Sequence, residues 1–212
     1  MYMTEITVTR WNSFSKKDQA PIVLAIGQRG TGKTQLLNHL LRLLKVEQGM
    51  VISPTLEFEQ WPYQGLSHHS SFFEPETMKK ALQEAVALPA SPYALVLDNA
   101  MNNTDFNNQH YRKLVYSSRY VNCAILQAVQ DPREIPVDIR SNLDYVFMGK
   151  TTHKATLKHL WDNYAAGVVS TFEAFSGIMK QLDRYTFLVV DNTRPTIPTL
   201  GMFWLDPHML GK

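Results

Sequence analysis

Cysteine is almost absent from the 212 residues: Cys123 stands alone. One thiol excludes an intramolecular disulfide, and its apolar neighbours mark it as a buried group in a reducing compartment. Charge of one sign is also missing. Lys and Arg number 21 against 19 acids, a formal net charge of +2, so no global field points to nucleic acid or a membrane surface. That leaves a local basic patch open. No stretch approaches the roughly 18 apolar residues of a membrane-spanning helix, and Met1 to Phe14 lacks the apolar core of a signal peptide. The expectation is a soluble, intracellular chain with no membrane insertion. Internal repeats, low-complexity tracts and Gly/Ser linkers are absent too, so one domain over residues 1–212 is the economical reading.

What is present is ordinary globular material, 44% hydrophobic and 11% aromatic. Ile6 to Trp11 alternates as a strand does. Pro21 to Ile26 is a continuous apolar run, as expected of a strand buried on both faces. Thr34 to Lys45 carries Leu36, Leu37, Leu40, Leu41 and Leu44 at helical spacing. Further strands are expected at Met50 to Ser53, Tyr93 to Leu97, Cys123 to Val129, Tyr145 to Met148 and Tyr185 to Val190. Helices are expected at Glu74 to Leu88, Asp105 to Tyr120, Thr152 to Tyr164 and Ser170 to Leu182, with a shorter segment at Pro136 to Asn142. Leu56 to Phe73, rich in aromatics and turn residues, receives no assignment. Alternating strands and helices imply an α/β fold, with a mostly parallel central sheet flanked by helices on both faces.

Gly27 to Thr34 reads GQRGTGKT and satisfies G-x-x-x-x-G-K-[ST] in full, between a buried strand and an amphipathic helix. The residue types match what a phosphate-binding loop requires. Gly27, Gly30 and Gly32 let the backbone turn and bring its amides against phosphate oxygens. The helix start adds unpaired N–H groups and the positive dipole end. Gln28, Arg29, Thr31 and Gln35 complete the cradle. Lys33 reaches the β- and γ-phosphates and Thr34 ligates Mg²⁺. The expected ligand is ATP with Mg²⁺, in a single P-loop NTPase domain of the RecA-like, ASCE type.

Such a loop needs a carboxylate at the tip of a neighbouring strand, and Tyr-Ala-Leu-Val-Leu-Asp98 supplies one. Asp191, after Phe-Leu-Val-Val, is the rival, at the last strand. Asn99 follows the metal acid where many P-loop ATPases place a carboxylate to polarise the attacking water. An amide cannot accept that proton, so Asn99 orients the water or the base lies elsewhere, Glu57 and Glu59 being the nameable candidates. Gln127 interrupts an apolar strand, and a buried amide needs a partner. Its expected partner is the γ-phosphate or the lytic water.

In order, the P-loop, Asp98, Ser118-Arg119-Tyr120, the strand carrying Gln127 and the Pro136 to Asn142 segment with its Ile-Arg-Ser-Asn resemble the genome-packaging ATPases of poxvirus-type large DNA viruses and membrane-containing icosahedral viruses, within the FtsK–HerA superfamily. The resemblance runs from about residue 18 to about residue 192. It implies an ATPase ring, pentameric or hexameric, that pumps double-stranded DNA into a preformed capsid docked through a capsid or portal-vertex protein. It further implies a place in the host cytoplasm during assembly or in the virion. An arginine from the neighbouring subunit would complete each nucleotide site; Arg119 aligns best and Arg140 is second. Asn99 departs from the family, where an acid is usual.

Lys150, His153, Lys154, Lys158 and His159 lie in a stretch free of acids between Asp144 and Asp162. On a helix, Lys150, Lys154 and Lys158 would share one face suited to a phosphate backbone. His68-His69 has no further ligand at metal spacing and reads as loop. The guanine-reading Asn-Lys-x-Asp and the Leu-Ser-Gly-Gly-Gln signature are both absent, which excludes a signalling GTPase and an ABC-type ATPase. A P-loop kinase acting on a nucleoside or other small molecule is the alternative, although no close Arg pair follows Met148. A scaffold that binds nucleotide without hydrolysing it is a third reading, kept open by Asn99.

Overall fold

The computed structural model describes residues 8–14, 20–55, 63, 66–69, 72–87, 91–102, 104–193 and 199–205. Its strands are β1 (Thr9–Arg10), β2 (Ile22–Ile26), β3 (Gln48–Ile52), β4 (Ser67–His69), β5 (Tyr93–Asp98), β6 (Cys123–Val129), β7 (Tyr145–Gly149), β8 (Thr186–Asp191) and β9 (Thr199–Trp204). The helices are α1 (Lys33–Leu44), α2 (Pro75–Ala87), α3 (Gln109–Ser117), α4 (Val137–Arg140), α5 (Lys154–Leu160) and α6 (Phe172–Gln181). Among the described residues the strands form one sheet in the order β1-β9-β8-β7-β2-β6-β5-β3-β4.

The apolar runs read from the sequence fill the centre of that sheet. β2, β5, β6 and β7 are buried along their whole length, and β3, β5, β6, β2 and β7 all pair in parallel. Strand alternation then divides the core into two layers. Val23, Ala25, Ala94, Val96, Leu126 and Ala128 face α1, whose Leu36, Leu37, Leu40 and Leu41 pack on them. Ile22, Leu24, Leu95, Ile125 and Val129 face the opposite layer of α2, α3, α5 and α6. Small residues gather under α1: Ala25 stands opposite Ala128 in register, and Ala128 opposite Asp98. A floor of methyl groups lets the start of α1 approach the sheet closely.

β8 runs antiparallel to both β7 and β9. Its first residues therefore lie at the edge where β2, β5, β6 and β7 end, and Asp191 lies at the far edge, opposite Tyr145. β9 adds a strand that the sequence does not disclose, and β4 corrects the reading of His68-His69 as loop, since both histidines pair with β3. The helix expected over Asp105 to Tyr120 is divided: a short 3₁₀ turn spans Asp105–Asn107, and α3 begins only after Asn108. Asn108 Oδ1 accepts from the His110 and Tyr111 amides at 2.9 and 3.1 Å, an N-cap that starts a new helix there. Cys123 is buried at the start of β6, and burial pushes its thiol up to about 12, so it is no thiolate nucleophile. No helix among the described residues is long and apolar enough to cross a membrane.

Candidate active site

At the edge where the parallel strands end, Gly27 leaves β2 with its amide donating to the Val129 carbonyl at 3.2 Å. The glycines do what the motif requires. Gly30 and Gly32 have φ of +79° and +92°, values that only glycine adopts freely. A Cβ on Gly27 would lie 2.6 Å from Thr31 Oγ1, and one on Gly32 would lie 2.6 Å from Tyr185 Cδ1. Gly32 caps α1 without a side-chain bond, and the first turn carries no acid. Because Leu36 is the first residue to bond back, to the Gly32 carbonyl at 2.9 Å, the Lys33, Thr34 and Gln35 amides remain for an anion.

Lys33 is buried and its Nζ donates to the Gly27 and Gln28 carbonyls at 2.8 and 3.2 Å. Loss of solvent lowers its pKa from the ordinary 10.5, and the nearby Asp98 charge opposes that shift. The ammonium is thus folded onto its own loop, where an incoming phosphate would replace two neutral carbonyls by anionic oxygens.

Asp98 ends β5 facing α1 and is 3% exposed. Its carboxylate collects three donors: Thr34 Oγ1 at 2.6 Å, Tyr63 Oη at 3.0 Å and Asn99 Nδ2 at 3.1 Å. The Thr34 hydroxyl and the Asp98 carboxylate, brought together from two elements, form a hard-oxygen pair of the kind Mg²⁺ takes when phosphates and water fill its remaining positions. They fit the ion. Asp191 does not compete, because antiparallel β8 carries it to the opposite edge, where its Oδ1 accepts from the Thr193 amide and hydroxyl at 2.9 and 2.7 Å.

Asn99 takes φ +52°, which turns the chain directly after Asp98. Its Nδ2 is occupied by Asp98, while its Oδ1 is buried with no partner among the described residues. An acceptor oxygen is therefore left over beside the Thr34–Asp98 pair. Glu57 and Glu59 lie outside the described residues.

Gln127 requires a correction. It alternates onto the face away from α1, where its Oε1 accepts from the Tyr111 hydroxyl at 3.0 Å, and it stands opposite Leu97 and Leu24 rather than at the strand tip. Burial pushes the Tyr111 phenol upward, partly offset by that bond. The sequence reading located the amide along the strand without assigning its face. The exposed amide at the mouth is Gln130, directly after β6, lining a cleft of about 220 Å³ with Gly27, Gln28 and Arg29. Gln130 was missed, and so was Tyr63, which sits in the stretch left unassigned.

Arg119 lies far from the loop of its own chain, whereas Arg140 is near Tyr164, which donates to the carbonyl of Pro132 in the loop's cleft. Arg119 Nη2 donates to Asp144 Oδ1 at 2.6 Å, and Asp144 Oδ2 accepts from the amide of Ile22, the first residue of β2. β2 puts on the order of 15 Å between that edge and the P-loop. Arg119 keeps a side-chain exposure of 74% despite the pair. Arg140 lies on α4 with its guanidinium 6.0 Å from the centre of the Tyr164 ring. The lysine stripe does not form as expected. Lys150 precedes α5, which starts at Lys154, and Lys158 bonds Asp162 at 2.9 Å while lying 4.2 Å from the Trp161 ring centre.

The placement of the two glutamines is testable by urea unfolding. Gln127→Ala leaves a cavity and strips the buried Tyr111 hydroxyl of its partner, a loss of roughly 1–3 kcal/mol. Gln130→Ala, at an exposed position, changes stability by no more than about 0.5 kcal/mol. Equal losses in both would contradict the assignment of faces.

No protein-family model matches the chain. By shape it resembles the genome packaging NTPase B204 of Sulfolobus turreted icosahedral virus 2, solved with ATP-gammaS, at a TM-score of 0.66 and 15% identity over 88% of this chain and 99% of that one. The cytoplasmic domain of the type VII secretion ATPase EccC of Thermomonospora curvata is also similar, with a TM-score of 0.54 and 14% identity over 85% of this chain and 25% of that one. At such identities the likeness establishes the fold, a P-loop NTPase fold. In sequence, uncharacterized protein 088R of Invertebrate iridescent virus 3 is 28% identical over 80% of this chain and 69% of its own length. Uncharacterized protein 075L of Invertebrate iridescent virus 6 is 30% identical over 182 residues, 81% of this chain and 70% of its own length, and the chain belongs to the family of that viral protein.

Proposed function

We propose that the protein is an ATP-hydrolysing motor that moves double-stranded viral DNA into a preformed capsid. The observation that carries the ATPase part is the Thr34–Asp98 pair, 2.6 Å apart beside a complete P-loop. The loop's lysine is already buried against it. The packaging part rests on the order of motifs, on the viral family, and on likeness over nearly the whole length of a genome packaging NTPase.

Each residue has a task that its position allows. The amides at the start of α1 bind the phosphates, and Lys33 exchanges the Gly27 carbonyl for a phosphate oxygen. Thr34 and Asp98 would hold Mg²⁺, which screens charge on the β- and γ-phosphates when bound. Tyr63 fixes the Asp98 carboxylate by donating to Oδ2, the same oxygen that accepts from Thr34. Asn99, with a spare buried oxygen, positions the attacking water without taking its proton. Gln130, at the mouth of β6, replaces Gln127 as the residue that senses the terminal phosphate.

Arg119 acts on the neighbour. It cannot reach its own loop along the length of β2, yet it is exposed at the opposite edge, as a group serving the next subunit of a ring must be. A guanidinium there would neutralise charge on the γ-phosphoryl oxygens, an effect worth several powers of ten in rate. The host cytoplasm or the virion is where such a ring would work, docked on a capsid or portal-vertex protein.

Phosphate release from ATP, measured with and without double-stranded DNA, tests the reading. Stimulation by DNA and a loss of roughly a hundredfold or more in Lys33→Ala are expected. Phosphate transfer to a small acceptor by a monomer indifferent to DNA would overturn it. Mixing Lys33→Ala with Arg119→Ala protein should restore activity that neither variant has alone. No recovery in confirmed assemblies would remove Arg119 from the site.

A further inference from the structure

Antiparallel β8 starts at the P-loop edge, because Phe187 pairs with Gly149 there while β7 and β2 run in parallel. The turn leading into it, closed by the Thr186 amide donating to the Asp183 carbonyl at 3.2 Å, holds Tyr185 at φ +65°. A tyrosine in the left-handed region is strained and persists only where the surroundings impose it. Two contacts impose it. The Leu205 amide donates to the Tyr185 carbonyl at 3.0 Å, and the ring lies against Gly32, where a Cβ would be 2.6 Å away. Over that ring sits the Arg184 guanidinium, 4.8 Å from its centre. Its Nη2 is 4.0 Å from where a Cβ on Gly30 would be. Arg184 is exposed, and among the described residues no carboxylate pairs with it.

The two ends of the loop are therefore unlike. On one side of β2, beyond β6, Asp98 with Thr34 marks where the terminal phosphates and their metal lie. On the other side, beyond β7, Arg184 and Tyr185 stand beside Gly30 and Gly32. A triphosphate aligned with its terminal phosphates at Asp98 leaves its sugar and base on the β7–β8 side. We propose that the Arg184 guanidinium, held over Tyr185, is the platform on which the nucleobase of the bound nucleoside triphosphate stacks. This rests on the nucleotide-binding reading of the P-loop and adds what holds the base. A guanidinium is planar, delocalised and weakly hydrated, so it stacks on a π-face as an ammonium does not. Stacking ignores the hydrogen-bonding edge of the base, so ATP and GTP bind alike at this contact.

The test compares the affinity of ATP with that of inorganic tripolyphosphate, both with Mg²⁺, by calorimetry on the full chain. In the unaltered protein ATP binds the tighter of the two. Arg184→Ala weakens ATP about tenfold and tripolyphosphate less than about twofold, and Arg184→Lys, which keeps the charge, loses the ATP advantage as well. Equal weakening of both ligands would make Arg184 a phosphate contact and overturn the proposal, as would unchanged ATP affinity. Tripolyphosphate bound as tightly as ATP by the unaltered protein would also overturn it while leaving the P-loop reading intact. Binding of neither ligand would remove both. Exposure of Arg184 at the surface keeps these variants folded, which circular dichroism checks.

Discussion

The bond from the Thr34 hydroxyl to the Asp98 carboxylate, 2.6 Å long, joins two elements that are not neighbours in the sheet. Thr34 belongs to the helix that follows β2, and Asp98 ends β5, with β6 between them. The span closes because Ala25 and Ala128 give α1 a floor of methyl groups, and Ala128 stands directly opposite Asp98. Larger side chains there would lift the helix start away from the acid. The P-loop, the buried Lys33 and the Thr34–Asp98 pair all depend on this close approach.

The direction of one strand accounts for much of the remaining geometry. Had β8 run parallel, Asp191 would have ended at the loop edge as a second candidate metal acid. Running antiparallel, β8 sends Asp191 to the far edge and sets Arg184 and Tyr185 beside Gly30 and Gly32 instead. Arg119 is likewise committed to the far edge by its pair with Asp144, which in turn holds the first amide of β2. One edge of the sheet thus carries the P-loop with Thr34 and Asp98, and the other carries an exposed guanidinium, which is what the proposed ring asks of Arg119.

The elements that a sequence discloses best are those whose burial is complete. β2, β5 and β6 were legible as uninterrupted apolar runs, and α1 as a leucine stripe after a glycine-rich loop. Gly27 to Thr34 and Asp98 were legible because their chemistry is tied to strand ends. Gln127 misled, since an amide within a strand has a position along the chain but no visible face; only the alternation of β6 against α1 assigns it to Tyr111. Tyr63 was hidden in a stretch without periodicity. Arg184 and Tyr185 were hidden because strand direction is a tertiary property. The lysine stripe failed because α5 starts one turn later than its spacing required.

The structure of the chain with Mg²⁺ and a non-hydrolysable ATP analogue tests whether the Thr34–Asp98 pair and Lys33 form a nucleotide site. Phosphates are expected within Gly27 to Thr34, with Lys33 Nζ moved from the Gly27 carbonyl to a phosphate oxygen. Thr34 and Asp98 are expected to open around the metal. A nucleotide bound elsewhere, or Lys33 still bonded to Gly27 with the analogue present, would contradict that assignment.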